Sequence, residues 1–408
     1  MSSETIPRLR LDLDLVPSPD PEQPGYLIRD PKQYTDVILV LPPLLAAGLE
    51  LFDGEHTVVD LQSHWARLTG QIVDSDVARS MIATLREHGF LQTEELQARV
   101  ERRHREFAEA PVRAPAHAGS GYPEDEAELR SYLDESMQAA SPGSDDGPSG
   151  VGLGLAAPHV SPHGGWDSYT AAYRDLDPAV GERTVILLGT SHYGEPDRFG
   201  LTRKPFGTPY GDVPTDGNLV DELQRAAGDA VVMEDYCHAI EHSIEFQVLF
   251  LRHRLGPRLR IVPILCGAFL GVIAEGKAPE SAPRVARFLA ALQEFAARHR
   301  DELFWVLGVD LSHIGARYGD PEPVVAERER MLEVRARDLA RLDSLCRGET
   351  DAFLEQVLPN RDDLRWCGLS PLYTFARALP DARGSVRRYQ QWNIDPESVV
   401  SFAAVDFH

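Results

Sequence analysis

The distribution of apolar residues along the chain changes near residue 150. Beyond that point, continuous apolar runs alternate with stretches in which apolar residues recur at helical spacing. The runs, which predict buried strands, cover residues 151–157, 184–189, 260–267 and 303–309, and the helical stretches cover residues 216–227, 241–255, 285–298 and 323–341. Continuously apolar strands alternating with helices are typical of parallel sheets covered on both faces. The pattern therefore predicts an α/β fold, a three-layer domain around a mostly parallel central sheet.

A smaller unit with a different pattern precedes this domain. Short strands at residues 26–30 and 36–40, a pair of amphipathic helices and a return to extended chain at residues 90–91 predict a small α+β, winged-helix-like domain. We assign it residues 25–107, preceded by a flexible N-terminal arm over the polar, proline-rich residues 1–24.

Proline- and glycine-rich segments separate the two parts of the chain. A Pro/Ala-rich stretch follows residue 107, and a Pro/Gly/Ser-rich loop covers residues 139–150. Such segments mark boundaries and loops. We therefore place the large domain at residues 108–408 and treat residues 139–150 as a loop inserted within it.

Composition excludes several classes of protein. The 408 residues contain 41 Lys and Arg against 64 Asp and Glu, a formal net charge of −23, whereas a nucleic-acid-binding protein needs a basic surface. We expect no membrane segment, because the longest apolar stretch, residues 37–49, is short and contains two prolines. The four cysteines are far apart without a CxxC motif, and the N-terminus lacks an apolar signal region. These features favour a cytoplasmic protein with reduced thiols.

Three of the predicted strands end in histidine-bearing turns. His159 and His192 follow the first two strands, and Asp310 and His313 follow the strand that ends at residue 309. In open α/β sheets, ligands bind outside the carboxyl ends of the strands. A single histidine in a turn usually bonds to the backbone, but three at matching strand ends favour a functional site.

Cys367 is expected just before a helix, because Ser370 and Pro371 suit the N-cap and first helical positions. The positive end of a helix favours the thiolate, which binds metals or attacks electrophiles. The alternative for Cys367 is a buried, inert thiol.

Another helix begins near Glu241, His242 and Glu245. His238 and His242 match the H-x-x-E-H motif of one class of zinc peptidase. That motif requires both histidines within one helix, and His238 is expected at or before its start. We therefore keep a zinc hydrolase or peptidase as the least favoured alternative.

Together these segments resemble the Memo family, also described as AmmeMemoRadiSam system protein B, in order from about residue 114 to residue 408. The matching pieces are HAGSGY at residues 117–122, APH at 157–159, LGTSH at 188–192, EHSIE at 241–245, VPIL at 262–265, DLSH at 310–313, CG at 367–368 and SFAA at 401–404. Memo proteins look like class III extradiol dioxygenases, which implies that fold for the large domain.

The resemblance implies a metal site of His159, His192 and Cys367, with Asp310 and His313 beside it as catalytic acid–base groups. Substrate would bind in the same cleft, at the residues Ser191, Glu241, His242 and Glu245. The sequence departs from the family at two places. His163 follows His159 in a longer loop and competes with it as a ligand, and Gly121 replaces a usual tryptophan.

Two histidines and a thiolate suit Fe(II), Cu or Zn, and the dioxygenase-like resemblance favours Fe(II). We therefore expect a mononuclear non-haem iron oxidoreductase acting on a small or peptide-borne substrate. The alternative is a non-catalytic metal-handling or peptide-binding protein. The N-terminal domain is loosely similar to PqqD-like domains, which implies a leader peptide and a radical-SAM or peptide-modification partner. The oligomeric state stays open.

Overall fold

The computed structural model describes residues 5–18, 20, 22–140 and 152–408. Most of the loop predicted at residues 139–150 lies outside the described residues. The chain forms two compact units, Met1–Glu109 and Ala110–His408.

The first unit combines a small antiparallel sheet with helices. Its strands are β1 (Asp14–Pro17), β2 (Tyr26–Arg29) and β3 (Leu39–Leu41), paired in that order. Its helices are α1 (Pro43–Ala47), α2 (Val58–Thr69), α3 (Ser75–Glu87) and α4 (Glu94–Glu109). Thr57 and Asp60 form a capping box at the start of α2, which satisfies two backbone N–H groups there.

Part of the segment expected as a flexible arm packs into this unit. Ile6 is 1% exposed, Leu9 bridges Leu91, and β1 pairs with β2. Arg10 donates two hydrogen bonds to the Asp30 carboxylate, at 2.8 and 2.7 Å. The arm prediction relied on polar composition and did not anticipate this buried ion pair.

The second unit is built around one mixed sheet. Its strands are β4 (Gly154–Ala157), β5 (Thr184–Thr190), β6 (Phe199–Leu201), β7 (Val231–Met233), β8 (Arg260–Cys266), β9 (Leu303–Gly308), β10 (Asp310–Gly315), β11 (Gly384–Asp395) and β12 (Ser398–Phe407). Its helices are α5 (Glu126–Ala139), α6 (Pro162–Tyr173), α7 (Gly217–Ala227), α8 (Cys237–Ile240), α9 (His242–Leu255), α10 (Leu270–Ala274), α11 (Pro283–Arg298), α12 (Arg330–Cys346), α13 (Thr350–Glu355) and α14 (Leu369–Ala378).

The sheet is parallel only in part. The strands β4, β9, β5 and β8 are parallel neighbours, and β6 pairs with β7 in the same sense. The strands β6 and β8 are antiparallel, as are the pairings of β12 with β4, β10 and β11. The expectation of a mostly parallel sheet is therefore corrected to a mixed sheet with a parallel centre. A short turn joins β11 to β12, and such a turn permits only antiparallel pairing.

Helices cover both faces of the sheet. Along β5, Ile186 and Leu188 pack into one apolar cluster with residues of α7, α11 and α14, whereas Val185 and Leu187 pack into another with residues of α5, α6 and α9. Alternation of side chains along a strand produces this division. The strands of the centre are buried on both faces, which explains their continuous apolar sequence.

Among the described residues, none of the helices combines the length and the apolar character needed to cross a membrane.

Candidate metal centre

The candidate site lies at the carboxyl edge of the parallel strands. Ala157 at the end of β4 and Gly189 near the end of β5 are both in register with Gly308, the last residue of β9. His159 and His192 follow two residues after their strands end. The parallel register thus brings both histidines to one edge of the sheet.

Two glycines allow helix α9 to approach this edge. A Cβ atom on Gly308 would collide with the Ser243 carbonyl oxygen, and one on Gly189 would lie 2.6 Å from Ile244 Cγ1. Both neighbours belong to the first turn of α9. The absence of side chains at these positions therefore places the start of α9 directly against the strand ends.

His159 is buried with one ring nitrogen fixed and the other facing potential ligands. Its Nδ1–H donates to the Gly308 carbonyl oxygen at 2.9 Å, and its Nε2 lies 3.3 Å from Cys367 Sγ and 3.4 Å from Asp310 Oδ2. Burial, followed by the nearby charge of His192, lowers the pKa of His159 to about 3. A neutral imidazole with a free Nε2 is the form that binds metals.

A carboxylate orients the ring of His192, as the Gly308 carbonyl oxygen orients that of His159. Its Nδ1–H donates to Glu241 Oε1 at 3.0 Å, and its backbone N–H donates to Glu241 Oε2 at 2.9 Å. Glu241 also accepts hydrogen bonds from the backbone N–H groups of His242 and Ser243 and so caps α9. Burial raises the pKa of Glu241, but the charge of His192, the hydrogen bonds from His192 and the charge of His242 together outweigh burial, and the net pKa is below the ordinary value.

These contacts indicate that Glu241 positions His192. Glu241 was expected among the substrate-binding residues, yet it is 1% exposed and its oxygens are occupied by four hydrogen bonds.

Cys367 lies next to His159 and ahead of α14. This helix begins at Leu369, with Gly368 as its N-cap. The predicted N-cap at Ser370 had implied a first helical residue at Pro371, two residues later. The Gly368 N–H donates to the Asp310 carbonyl oxygen at 3.0 Å, and a Cβ atom there would lie 2.5 Å from the same oxygen. Burial raises the pKa of Cys367, and the hydrogen bond from His192 opposes it only in part. The thiolate expected from the helix N-terminus is therefore not favoured without a bound cation.

Asp310 is buried beside the turn that carries His159. Its Oδ1 accepts hydrogen bonds from the backbone N–H groups of His159 and Val160, at 2.9 and 3.3 Å. Burial, opposed by the charge of His313, raises the pKa of Asp310 to about 6. An aspartate with this pKa exchanges protons near neutral pH.

Among the residues that the structure describes, two overlapping groups of potential ligand atoms are close enough to hold one metal ion, each with its atoms within 4.8 Å of one another. The first consists of His159, His192 and His242, and the second consists of His159, Asp310 and Cys367. The predicted ligands His159, His192 and Cys367 therefore divide between the two groups, which share His159.

His242 and His117 extend this cluster of imidazoles. The ring of His242 stacks on that of His192 with centroids 5.0 Å apart and lies 5.2 Å from that of His159. His117 packs edge-on against His242 at 5.8 Å. Sequence reasoning did not assign His117 to the site, although the HAGSGY piece that contains it belongs to the family pattern.

Glu245 fixes the position of His117 through hydrogen bonds to its backbone and its ring. It is 3% exposed, forms an ion pair with Arg113 and accepts hydrogen bonds from Tyr122 Oη at 2.5 Å and from His117 Nδ1 at 3.1 Å. Glu245 was expected to bind substrate, but these contacts indicate that it anchors the segment from Arg113 to Tyr122 on α9.

The other residues considered for the site are His313, Ser191 and His163, and each has different surroundings. The Nδ1–H of His313 on β10 donates to the Leu311 carbonyl oxygen at 2.9 Å. Ser191 is buried and its Oγ has no hydrogen-bond partner among the described residues. His163 is exposed on α6 and belongs to neither ligand group found in the described part of the chain.

The H-x-x-E-H segment does not form one helix. His238 belongs to α8, which ends at Ile240, and His242 begins α9. His238 is buried, with its Nε2 3.1 Å from the Gly200 carbonyl oxygen. The two histidines therefore lack the shared helix that a zinc peptidase of this type requires.

Comparisons with known proteins agree with the order of motifs. The family model described as Memo-like protein matches residues 113–406. A MEMO1 family protein of Aquifex aeolicus is 27% identical over 326 residues, which cover 79% of this chain and 80% of the relative. A MEMO1 family protein of Thermus thermophilus is 28% identical over 299 residues, covering 73% and 83% respectively. The family match spans the strand ends and every residue of both ligand groups, and the chain belongs to the Memo family.

Proposed function

We propose that the unit Ala110–His408 binds one metal ion between His159, His192 and Cys367 and acts as a dioxygenase-like oxidoreductase on a small or peptide-borne substrate. Fe(II) is the first candidate, with Cu or Zn as alternatives. The observation that carries the proposal is the geometry of His159, whose Nδ1–H is bound to a carbonyl oxygen while Nε2 lies 3.3 Å from Cys367 Sγ.

The donor set fits a catalytic metal rather than a closed structural one. Two imidazole nitrogens and a sulfur leave coordination positions open, whereas structural zinc sites use four protein ligands. The backbone carbonyl behind His159 and the carboxylate behind His192 orient both rings, as partners of metal-binding histidines commonly do. A ferrous ion held there supplies redox chemistry with O2.

Asp310 and His313 are proposed to move protons beside the metal. Asp310, with a pKa raised to about 6 by burial, accepts or releases a proton at Oδ2, which lies 3.4 Å from His159 Nε2. Burial lowers the pKa of His313, so its neutral ring has an acceptor at Nε2 while Nδ1–H is bound to the backbone.

The proposal is tested by purifying the protein without oxygen and measuring bound Fe, Cu and Zn, together with Co(II) absorption spectra. We expect a stoichiometric metal with a sulfur-to-metal charge-transfer band that disappears in Cys367→Ala. The matched control is Cys346→Ala, a partly exposed cysteine outside both ligand groups among the described residues. Equal metal content and spectra in wild type and Cys367→Ala would contradict the proposed ligand set.

The alternative is a protein that stores or delivers the metal without catalysis. Asp310→Asn separates the two functions, because a carrier does not require a proton-transferring group beside its site. If Asp310→Asn loses O2 consumption while its metal affinity is unchanged, the result supports an enzyme. If the wild type shows no oxygen chemistry and the variant transfers metal as the wild type does, the result supports a carrier.

A peptide-binding role for the first unit is favoured by one observation. The strand β3 is at the end of its sheet, beside a cavity of about 400 Å³ lined by apolar residues that include Leu39, Leu41, Val77 and Met81. Such an edge accepts an added strand from a peptide. Hydrogen exchange at residues 39–41 tests this role, with peptides encoded beside a radical-SAM or peptide-modification enzyme as ligands and Val77→Lys as the blocking variant.

A further inference from the structure

A second cavity, of about 660 Å³, opens beside the candidate metal centre in the unit Ala110–His408. His192 and Cys367 lie in its wall, so it leads to the proposed metal. Phe269, Leu270 and Ile273 form an apolar side. Its volume lies within the range of sites for small organic ligands, roughly 300–1,000 Å³.

The carboxylates that line this cavity are all paired with arginines. The ion pairs join Asp320 to Arg330 and Arg365, Asp362 to Arg341, and Asp363 to Arg337, with nitrogen–oxygen distances between 2.5 and 3.2 Å. No lining carboxylate is therefore left to repel an anion.

Arg361 adds a further positive charge. It lines the same cavity, is exposed, and has no carboxylate partner among the residues that the structure describes. The lining itself holds three guanidinium groups, those of Arg330, Arg361 and Arg365, and three carboxylates, two of which pair with arginines outside the lining. An exposed guanidinium without a carboxylate partner, set among carboxylates that are already paired, attracts anions by its local field.

The loop that carries these groups has an unusual backbone. Arg361, Asp362 and Arg365 have φ angles of 52°, 51° and 54°, in the left-handed region that side chains disfavour. Ion pairs from Asp362 and Arg365 hold this loop in place, and it leads directly to Cys367. Strained conformations fixed by their surroundings occur at functional sites.

We propose that this arginine cavity, defined by Arg361, Arg365, Phe269, Leu270 and Ile273, binds an organic anion whose carboxylate or phosphate group contacts Arg361 and Arg365. The apolar part of the ligand packs against Phe269, Leu270 and Ile273, and its other end faces His192 and Cys367. As the substrate site, the cavity rests on the proposed function, but its preference for anions is a property of the metal-free chain.

Alkylation of Cys367 measures that preference directly. Iodoacetate and iodoacetamide deliver the same carbon to a thiol and differ by one negative charge. In metal-free full-length protein, the rate with iodoacetate is divided by the rate with iodoacetamide at each cysteine. We expect this ratio to be at least about threefold higher at Cys367 than at Cys346. Mass spectrometry of the two cysteine-containing peptides measures the rates. Both reagents are used at the same pH, so the fraction of each cysteine that is thiolate cancels from its ratio of rates. A ratio at Cys367 no higher than at Cys346 overturns the proposal.

Variants of Arg361 assign the effect to this cavity. Arg361→Glu should bring the ratio at Cys367 to or below that at Cys346, and Arg361→Lys should retain most of it. Each keeps a Cβ atom at the left-handed position, so backbone strain is unchanged. The matched control is Arg300→Glu, the same change at another exposed arginine, which should leave the ratio unchanged. A ratio insensitive to Arg361→Glu also overturns the proposal.

Protection experiments address the apolar part and the type of anion. Octanoate and octyl phosphate should slow the reaction of iodoacetamide at Cys367, and octanol at the same concentration should slow it much less. Protection by only one of the anions identifies the head group. Equal protection by octanol overturns the role of charge. Because no metal is present, these outcomes are independent of whether the metal centre is catalytic.

Discussion

Nδ1 of His192 lies 3.0 Å from Oε1 of Glu241, and the same carboxylate caps helix α9. One side chain therefore sets the orientation of a proposed metal ligand and the start of the helix that supplies His242.

Glu241→Gln should reduce metal affinity by about 10- to 100-fold, the usual effect of removing a partner of a metal-binding histidine. The amide still accepts a backbone hydrogen bond at the helix start but no longer gives the imidazole a carboxylate partner. Competition with a chromophoric chelator measures the change. The control is Asp216→Asn, which alters the capping carboxylate of α7 and should leave affinity intact. Unchanged affinity in Glu241→Gln would contradict the positioning role.

Glu245→Gln should destabilise the second unit by roughly 3–5 kcal/mol at pH 7, because it leaves Arg113 buried without its carboxylate. Thermal and denaturant unfolding measure this cost. The double variant Arg113→Met/Glu245→Gln should recover part of the loss, since the uncompensated charge is removed. Full additivity of the two single changes would show that the residues are not coupled.

The same variant should alter the dependence of stability on pH. Burial raises the pKa of Glu245, but the charge of Arg113 and the hydrogen bonds lower it more, so the net pKa is below 4.5. A depressed folded pKa stabilises the native state fully above about pH 4.5, and this contribution is lost as pH falls further. We expect the difference in unfolding free energy between wild type and Glu245→Gln to shrink on acidification. A difference that is constant from pH 7 to pH 3 would exclude this linkage.

Gly308→Ala should displace the first turn of α9, because the added Cβ atom meets the Ser243 carbonyl oxygen. We expect a loss of about 1–3 kcal/mol in stability, as for other overpacked sites, together with weaker metal binding. Gly271→Ala is the control, since a Cβ atom at that helical position has no neighbour within 4 Å. Comparable melting curves for the two variants would show that α9 adjusts freely.

The two overlapping ligand groups make opposite predictions for His242 and Cys367. If Cys367 is the third ligand, Cys367→Ser abolishes the sulfur charge-transfer band and lowers affinity far more than His242→Ala does. The reverse order would assign the metal to His159, His192 and His242. Co(II) spectra of both variants, with His163→Ala as an exposed control, distinguish the two sets.

The parallel centre of the fold was predictable because its strands are buried on both faces and therefore continuously apolar. The antiparallel pairings of β12 with β10 and β4 were not, because they join segments over long sequence separations that leave no local signal. The helix predicted at residues 323–341 begins only at Arg330. Its apolar spacing continued into a loop that contains a proline at position 323.

His159 and His192 were singled out by their position after strands and Cys367 by its position before a helix, which are local properties, whereas their grouping as one ligand set came from the family resemblance. The roles of Glu241 and Glu245 could not be predicted from the sequence, because both are glutamates near the start of the same helix. Only tertiary contacts show that Glu241 orients His192 and that Glu245 pairs with Arg113. The arginine cavity had no sequence signature, because its charges come from separate segments that pair with one another.

The contact between His159 and Cys367 joins residues 208 positions apart, and β12 connects β10 to β4 after every other strand has been made. During synthesis on the ribosome, the first histidine thus emerges long before its sulfur neighbour. The proposed metal site is therefore incomplete until the segment from Cys367 through β12 has folded onto the earlier strands. A metal bound at the proposed site would thus report that folding of this unit is complete.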